Sequence, residues 1–225
     1  MLRLTIAKKL MLLVTIALLG FVISQGYSMW VERANSSRLA EVEQRIYPTL
    51  ELTTVNLGAL LLMEQQINSS VTTGDEQALD DADKHYQEIR QNLEKLSHLS
   101  SDLSVQAKAL DAQLESWFTT SVRIAKSFIG GTVDFEKVGA EAAVNAETLK
   151  SLRAALSQMK AETSTHFNDS IRATIDDSKG AARVVLIVSV CAVIALLIVS
   201  SLIGRSITSS INEVTSSLKE MASGE

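Results

Sequence analysis

One cysteine, Cys191, and one proline, Pro48, stand in 225 residues. A lone thiol can form no intramolecular disulfide and no thiolate cluster for a metal, so rigidity has to come from packing. A lone proline leaves long stretches without a helix breaker. Aromatic residues make up only 4% of the chain, while Ala, Leu, Ser, Glu and Lys are plentiful, a balance that favours helix over sheet. Glycine-rich phosphate loops, nucleophile elbows and paired catalytic carboxylates are missing from the sequence. Its three histidines, His85, His98 and His166, have no carboxylate or cysteine partner at ligand spacing. The acidic cluster Asp75, Glu76, Asp80, Asp81 and Asp83 reads as a solvated face. The expectation is a protein with no catalytic residues, no cofactor and no metal site.

What the sequence does have is long apolar runs. Val184 to Gly204 carries no charge and is dominated by Val, Ile, Leu and Ala. At ~1.5 Å of rise per helical residue it covers the ~30 Å hydrocarbon layer of a bilayer. Arg183 and Arg205 stand directly outside it, where their heads reach the two headgroup layers. A second run, Leu10 to Ile23, follows Arg3, Lys8 and Lys9, and no acidic residue precedes Glu32. Positive charge ahead of the first span keeps that end in the cytoplasm. Tyr27 and Trp30 fall where this helix leaves the bilayer, as interfacial anchors do. A cleaved signal peptide, with Ser24 and Gly26 before the cut, is the competing reading. An uncleaved anchor is favoured because the helical pattern continues through Trp30.

Residues 1–9 are thus expected inside, 10–30 as the first span, 31–182 outside, 183–204 as the second span, and 205–225 inside again. The stretch 31–182 holds 15 Lys and Arg against 23 Asp and Glu, while the remaining residues hold 6 against 3. An acidic exterior with basic inner ends suits that orientation. It excludes nucleic acid as a partner, because phosphates need a basic footprint.

Four helical stretches divide the exported segment. The first runs from the membrane to Thr73, bent slightly at Pro48, and ends at Thr73-Gly74-Asp75. The second, about Asp75 to Leu96, carries Leu79, Ala82, Tyr86, Ile89, Leu93 and Leu96 at alternating steps of three and four, the seam of a coiled-coil-like bundle. Ser101 or Asp102 can cap the third, whose seam includes Leu103, Ala107, Leu110, Leu114, Trp117, Ser121, Ile124 and Phe128, and Gly130-Gly131 stops it. The fourth starts near Asp134 or Lys137, shows Ala142, Leu149, Leu152, Leu156 and Met159, and runs on into the second span. Short breaks make consecutive helices antiparallel, so the predicted fold is all-α, an up-down-up-down four-helix bundle between two membrane helices. A further seam, Ile207, Ile211, Val214, Leu218 and Met221, predicts an amphipathic helix just inside the membrane. With a seam and no partner in the chain, that helix predicts a parallel homodimer.

An N-terminal anchor, an exported helical bundle, a second span, then Arg205-Ser206-Ile207-Thr208 and a heptad helix closing on Gly224-Glu225 resembles the sensory half of a methyl-accepting chemotaxis receptor. The last segment is similar to the first helix of a HAMP domain, the coiled-coil relay of such receptors. The resemblance implies a bacterial inner-membrane homodimer with the 31–182 domain in the periplasm or outside. It also implies a small-molecule ligand or a ligand-loaded periplasmic binding protein as the stimulus, and cytoplasmic signalling proteins reached through an output domain. The expectation is therefore the front of a longer receptor, or a natural truncation. Sensors of histidine kinases and nucleotide cyclases share this front end, and a non-sensory membrane-anchored bundle is the alternative from another class. The implied relay is a piston or tilt of the fourth helix, running through Gly180, Arg183, Gly204 and Arg205.

In the amino-acid chemoreceptors, ligand sits high in the bundle between the first and fourth helices, held by arginines of the first. No Arg or Lys lies between Arg45 and Lys84 in this chain. The antiparallel register sets Asn56, Glu64, Gln65, Gln66, Asn68 and Ser69 opposite Lys150 and Arg153, with Leu60 level with Arg153 and Asn68 level with Asn145. Gln65, Gln66, Asn68, Lys150 and Arg153 are the candidate ligand residues. They suit a neutral or mixed polar ligand, or form a docking face, beside the bland reading of a solvated helix surface.

Overall fold

The computed structural model describes residues 6–223, and among these every regular element is helical. Helix α1 spans Ile6–Glu41, followed by a π-helical turn at Val42–Ile46 and by α2, Tyr47–Thr73. Helices α3, Gln77–Leu99, and α4, Ser101–Ile129, come next, and α5 runs from Phe135 to Ser223 as one element of 89 residues. Arg3 and the closing Gly224-Glu225 lie outside the described residues, as do the side chains of Val214, Leu218 and Met221.

The turns follow from backbone chemistry. Gly74 ends α2 at φ 74°, a left-handed conformation that costs a glycine little, and its N–H bonds Ser70 O. Gly131 supplies the corresponding residue after α4 at φ 66°. Helix α3 extends to Leu99, three residues past the expected Leu96, and a single extended residue, Ser100, separates it from α4. Ser100 is the N-cap in place of Ser101 or Asp102, its Oγ accepting from Leu103 N at 3.3 Å. Asp134 caps α5 in the same manner, accepting from Lys137 N. At Pro48 the structure inserts a π turn rather than a simple bend. A proline has no N–H to give and its ring crowds the carbonyl one turn back. Widening the preceding turn, with Tyr47 N–H reaching Val42 O, takes the chain past that crowding.

The chain divides into two compact units, Arg38–Arg172, and Met1–Ser37 together with Ala173–Glu225. The first is narrower than the expected exported segment because Val31, Asn35 and Ala181 are buried within the second. In that second unit Asn35 Nδ2 donates to Ser178 Oγ at 3.1 Å and to Thr174 O at 3.4 Å. A Cβ on Gly20 would stand 3.3 Å from Ala192 Cβ, so the two apolar helices approach closely at small residues. Among the described residues two helices are long and apolar enough to cross a membrane, and 6% and 0% of their most apolar windows are buried. Exposure on that scale is the reverse of a soluble protein's core helix. Trp30 is 66% exposed and packs against Tyr27 with ring centroids 6.1 Å apart.

The unit Arg38–Arg172 has one core, drawn from α2, α3, α4 and the first part of α5. Leu60, Met63, Ile89, Leu96, Leu114, Leu152 and Leu156 are its most buried large side chains. Tyr86 stacks on Phe118 at 4.2 Å, nearly parallel, and Arg90 lies over the Tyr86 ring while its guanidinium binds both oxygens of Asp111 at 2.9 and 3.2 Å. Burial pushes the Tyr86 hydroxyl above the usual tyrosine range. Asn56, fully buried, accepts from Asn92 Nδ2 at 3.0 Å, so it belongs to the core and not to the polar face. Helix α5 is the exception in this unit. Its residues 135–172 bury only Leu152, Leu156 and Met159, two turns near the middle of the segment.

Candidate functional site

A cavity of about 210 Å³ opens between α2, α4 and α5, just beyond that buried contact. Glu64, Ile67, Asn68 and Val71 of α2 line it, with Trp117, Ser121 and Ile124 of α4 and Ala142, Asn145, Ala146 and Leu149 of α5. The space exists because α5 offers alanines here, where the seams of α3 and α4 offer leucines. A void lined by small residues on one helix is not closed by rotamer changes on the others.

Two polar features give the cavity its chemistry. Asn145 Nδ2 donates to Ser121 Oγ at 2.7 Å, which leaves the Asn145 carbonyl oxygen and the Ser121 proton to be directed inward. Arg153 reaches Glu64 Oε2 at 2.5 Å, and this exposed pair adds at most about 1 kcal/mol of stability. Its larger effect is to neutralise the one carboxylate on the wall. The opposite side is apolar, with the buried Trp117 as its largest surface. Small-molecule sites usually occupy ~300–1,000 Å³, so this one suits a compact ligand with a polar end and an apolar end.

Of the sequence candidates, the structure brings Asn68 to the cavity, exposed at its mouth, and sets Asn145 across from it. Arg153 contacts the cavity through Glu64, one turn from the Leu60 expected at its level. Lys150 pairs with Glu147 on its own helix, and Gln65, Gln66 and Lys150 are not among the lining residues. Trp117 and Ser121 had only a core role in the sequence pattern, yet they form the α4 wall. Their signal was an aromatic and a hydroxyl one turn apart on the seam that faces the polar stretch of α2.

The acidic cluster is occupied with local work. Asp75 accepts from Gln77 N at 2.9 Å, and Asp81 binds Lys84 at 2.7 Å, a contact that holds its carboxyl below the usual range. Among the described residues no group of three His, Cys, Asp or Glu side chains is placed to hold a metal ion. His85 lies 3.5 Å from Glu88 within one helical turn. No family model matches the chain, and neither a curated protein nor a solved structure matches it.

Proposed function

We propose that the protein is a transmembrane receptor of the chemoreceptor type, sensing an external ligand and relaying it inward by movement of α5. The observation that carries this reading is a shared helix. Asn145 and Arg153, at the cavity, lie on the same unbroken element as the apolar run Val184 to Gly204. The short buried contact Leu152–Leu156–Met159 supports it, because a helix held over two turns tilts at less cost than one held along its length. In this reading the four helices of Arg38–Arg172 form an antiparallel up-down-up-down bundle on the periplasmic side of a bacterial inner membrane. The segment after Arg205 is the first helix of a HAMP-type relay, leading to an output domain and its signalling partners. The ligand is a small molecule of mixed polarity, and it shifts the two packing states only by its difference in affinity for them.

The receptor works as a parallel homodimer about α1 and α2. No charged residue stands between Glu51 and Glu64, although Val55, Leu61 and Leu62 on this stretch are 41%, 59% and 44% exposed. With Thr54 and Gly58 they form an uncharged stripe at helical spacing between Glu51 and Glu64, in contrast to the charged outer face of α3.

The relay is tested at Gly180. Placing glycine also at Lys179 and Ala181 adds about 2 kcal/mol of local helix cost. In a fusion of the whole chain to a known output domain, this variant should insert and bind normally yet lose its response. Gly180→Ala should respond at least as well as the parent. Normal signalling by the triple-glycine fusion would assign the relay to the first span instead.

A further inference from the structure

A second place in the Arg38–Arg172 unit has the makings of a binding site, at the opposite end of the α5 contact from the cavity described above. Two hollows of about 240 and 220 Å³ adjoin there, sharing Gln106 of α4 and Met159 and Glu162 of α5 as a common wall. Their chemistry differs from that of the first cavity. Glu162 is a carboxylate whose Oε1 accepts from Gln158 Nε2 at 2.8 Å, which fixes the group and leaves Oε2 to bind. Asp102 lines the second hollow, though the N-terminal turn of α4 offsets part of its charge. The basic side chain on that wall, Arg45, is already engaged by Glu41. His166 completes the polar side of the same hollow.

Gln113, which lines the first hollow, adds a second and independent observation. Its Oε1 is shielded from solvent and has no hydrogen-bond partner. An acceptor left in that condition is costly, and the structure offers it no donor. Rotation about the last torsion of the side chain, which is broad and soft, is the smallest movement that would bring it one from the hollow. The remaining wall is aliphatic, with Leu110, Ala155 and Met159. The site is therefore rich in acceptors, anionic, and apolar along its length.

We propose that this α4–α5 groove binds a small aliphatic amine. Its ammonium group pairs with Glu162, its N–H groups give Gln113 the donor it lacks, and its methylene chain lies along Leu110 and Met159. A neutral ligand of the same shape would leave the carboxylate unmatched, and an anion would be repelled. The site is separate from the cavity lined by Asn68 and Asn145, and it stands whether or not α5 carries a signal.

The test is calorimetric titration of the full chain in lipid nanodiscs with 1,4-diaminobutane. Two probes of the same chain length, 1,4-butanediol and succinate, serve as the neutral and dianionic controls. The diamine should bind and the controls should bind at least tenfold more weakly. Glu162→Gln should weaken the diamine at least tenfold and Gln113→Leu severalfold, with helix content unchanged by circular dichroism. Glu147→Gln, an exposed carboxylate on α5 outside both hollows, should leave binding as it was. Equal binding of the diol would show an apolar hollow only. A loss in Glu147→Gln equal to that in Glu162→Gln would show general attraction to an acidic surface. No heat from the diamine at millimolar concentration would leave the groove to solvent, and each of these three results overturns the proposal.

Discussion

Replacing Leu61 by serine separates a solvated helix face from a dimer interface, because the two make opposite demands on one side chain. In the single chain Leu61 is 59% exposed. If that surface stayed in water, serine would change stability by less than about 0.5 kcal/mol. If a second copy covers it, the remaining exposed part is buried on association. Full burial of a leucine contributes about 1.5–3 kcal/mol, so the part still to be gained is roughly 0.9–1.8 kcal/mol. A twofold interface contains the residue twice, which brings the loss to about 2–3.5 kcal/mol per dimer. Each tenfold step is about 1.4 kcal/mol, so Leu61→Ser should weaken association roughly 30- to 300-fold. Energy transfer between labelled copies, diluted stepwise in lipid, measures that constant directly. Gln65→Ser on the same helix supplies the polar control. A parent that does not associate, or a Leu61→Ser variant that associates as tightly as the parent, would refute the argument.

Other outcomes follow from the core and the topology. Leu156→Ala removes a side chain that is 1% exposed, and the lost packing should cost about 2–5 kcal/mol in urea unfolding. A change below 1 kcal/mol would mean that α5 is not held there. Tyr86 is neutral in the fold and its pKa is raised by burial, so its contribution is fully present below the unfolded value of about 10 and is lost as pH rises through the higher folded value. Tyr86→Phe keeps the stack on Phe118 and should lessen the alkaline fall in the urea midpoint, whereas an unchanged fall would place the sensitive group elsewhere. Single cysteines at Ser36, Ser70 and Ser127 should react with an impermeant thiol reagent on spheroplasts and one at Ser217 should not, and the reverse pattern would invert the orientation.

The sequence made the helices legible because their signals are local. The alternating steps of α3 from Leu79 to Leu96 name its buried side, and Gly74 and Gly131 mark the places where a left-handed residue ends a helix. The apolar run 184–204 needs only its own length to be read. The π turn was hidden, because a lone proline announces crowding but not the way the backbone relieves it. The cavity was hidden for another reason. A seam tells which residues face inward, whereas a void depends on the sizes of residues from three helices meeting at one level. Asn68 and Asn145 were paired by register alone. Trp117 could not be assigned to the wall until Ala142 and Ala146 were known to lie across from it. Gln65 and Gln66 looked equivalent to Asn68 in composition, and a rotation around the helix decides between them.

The buried amides of α2 and α3 have a consequence for the way force passes through the bundle. Sliding α2 along α3 by one turn would separate Asn56 from Asn92 and leave two polar groups in an apolar interior, each at a cost of about 1–3 kcal/mol. Between α3 and α4 the buried Tyr86–Phe118 stack resists the same motion, and the half-exposed clamp of Arg90 on Asp111 adds at most about 1 kcal/mol. These three helices are therefore geared together and act as a stator. Segment 135–172 of α5 has no buried amide of this kind, and its fully buried residues are Leu152, Leu156 and Met159. Its directional bonds to α2 and α4, from Asn145 to Ser121 and in the ion pairs Arg153–Glu64 and Glu141–Arg123, are at most part-buried, and the apolar contact beside them can slip by fractions of a turn. The unit Arg38–Arg172 thus has a stiff part and a more compliant one, and in the proposed reading a displacement within it is taken up most readily by α5.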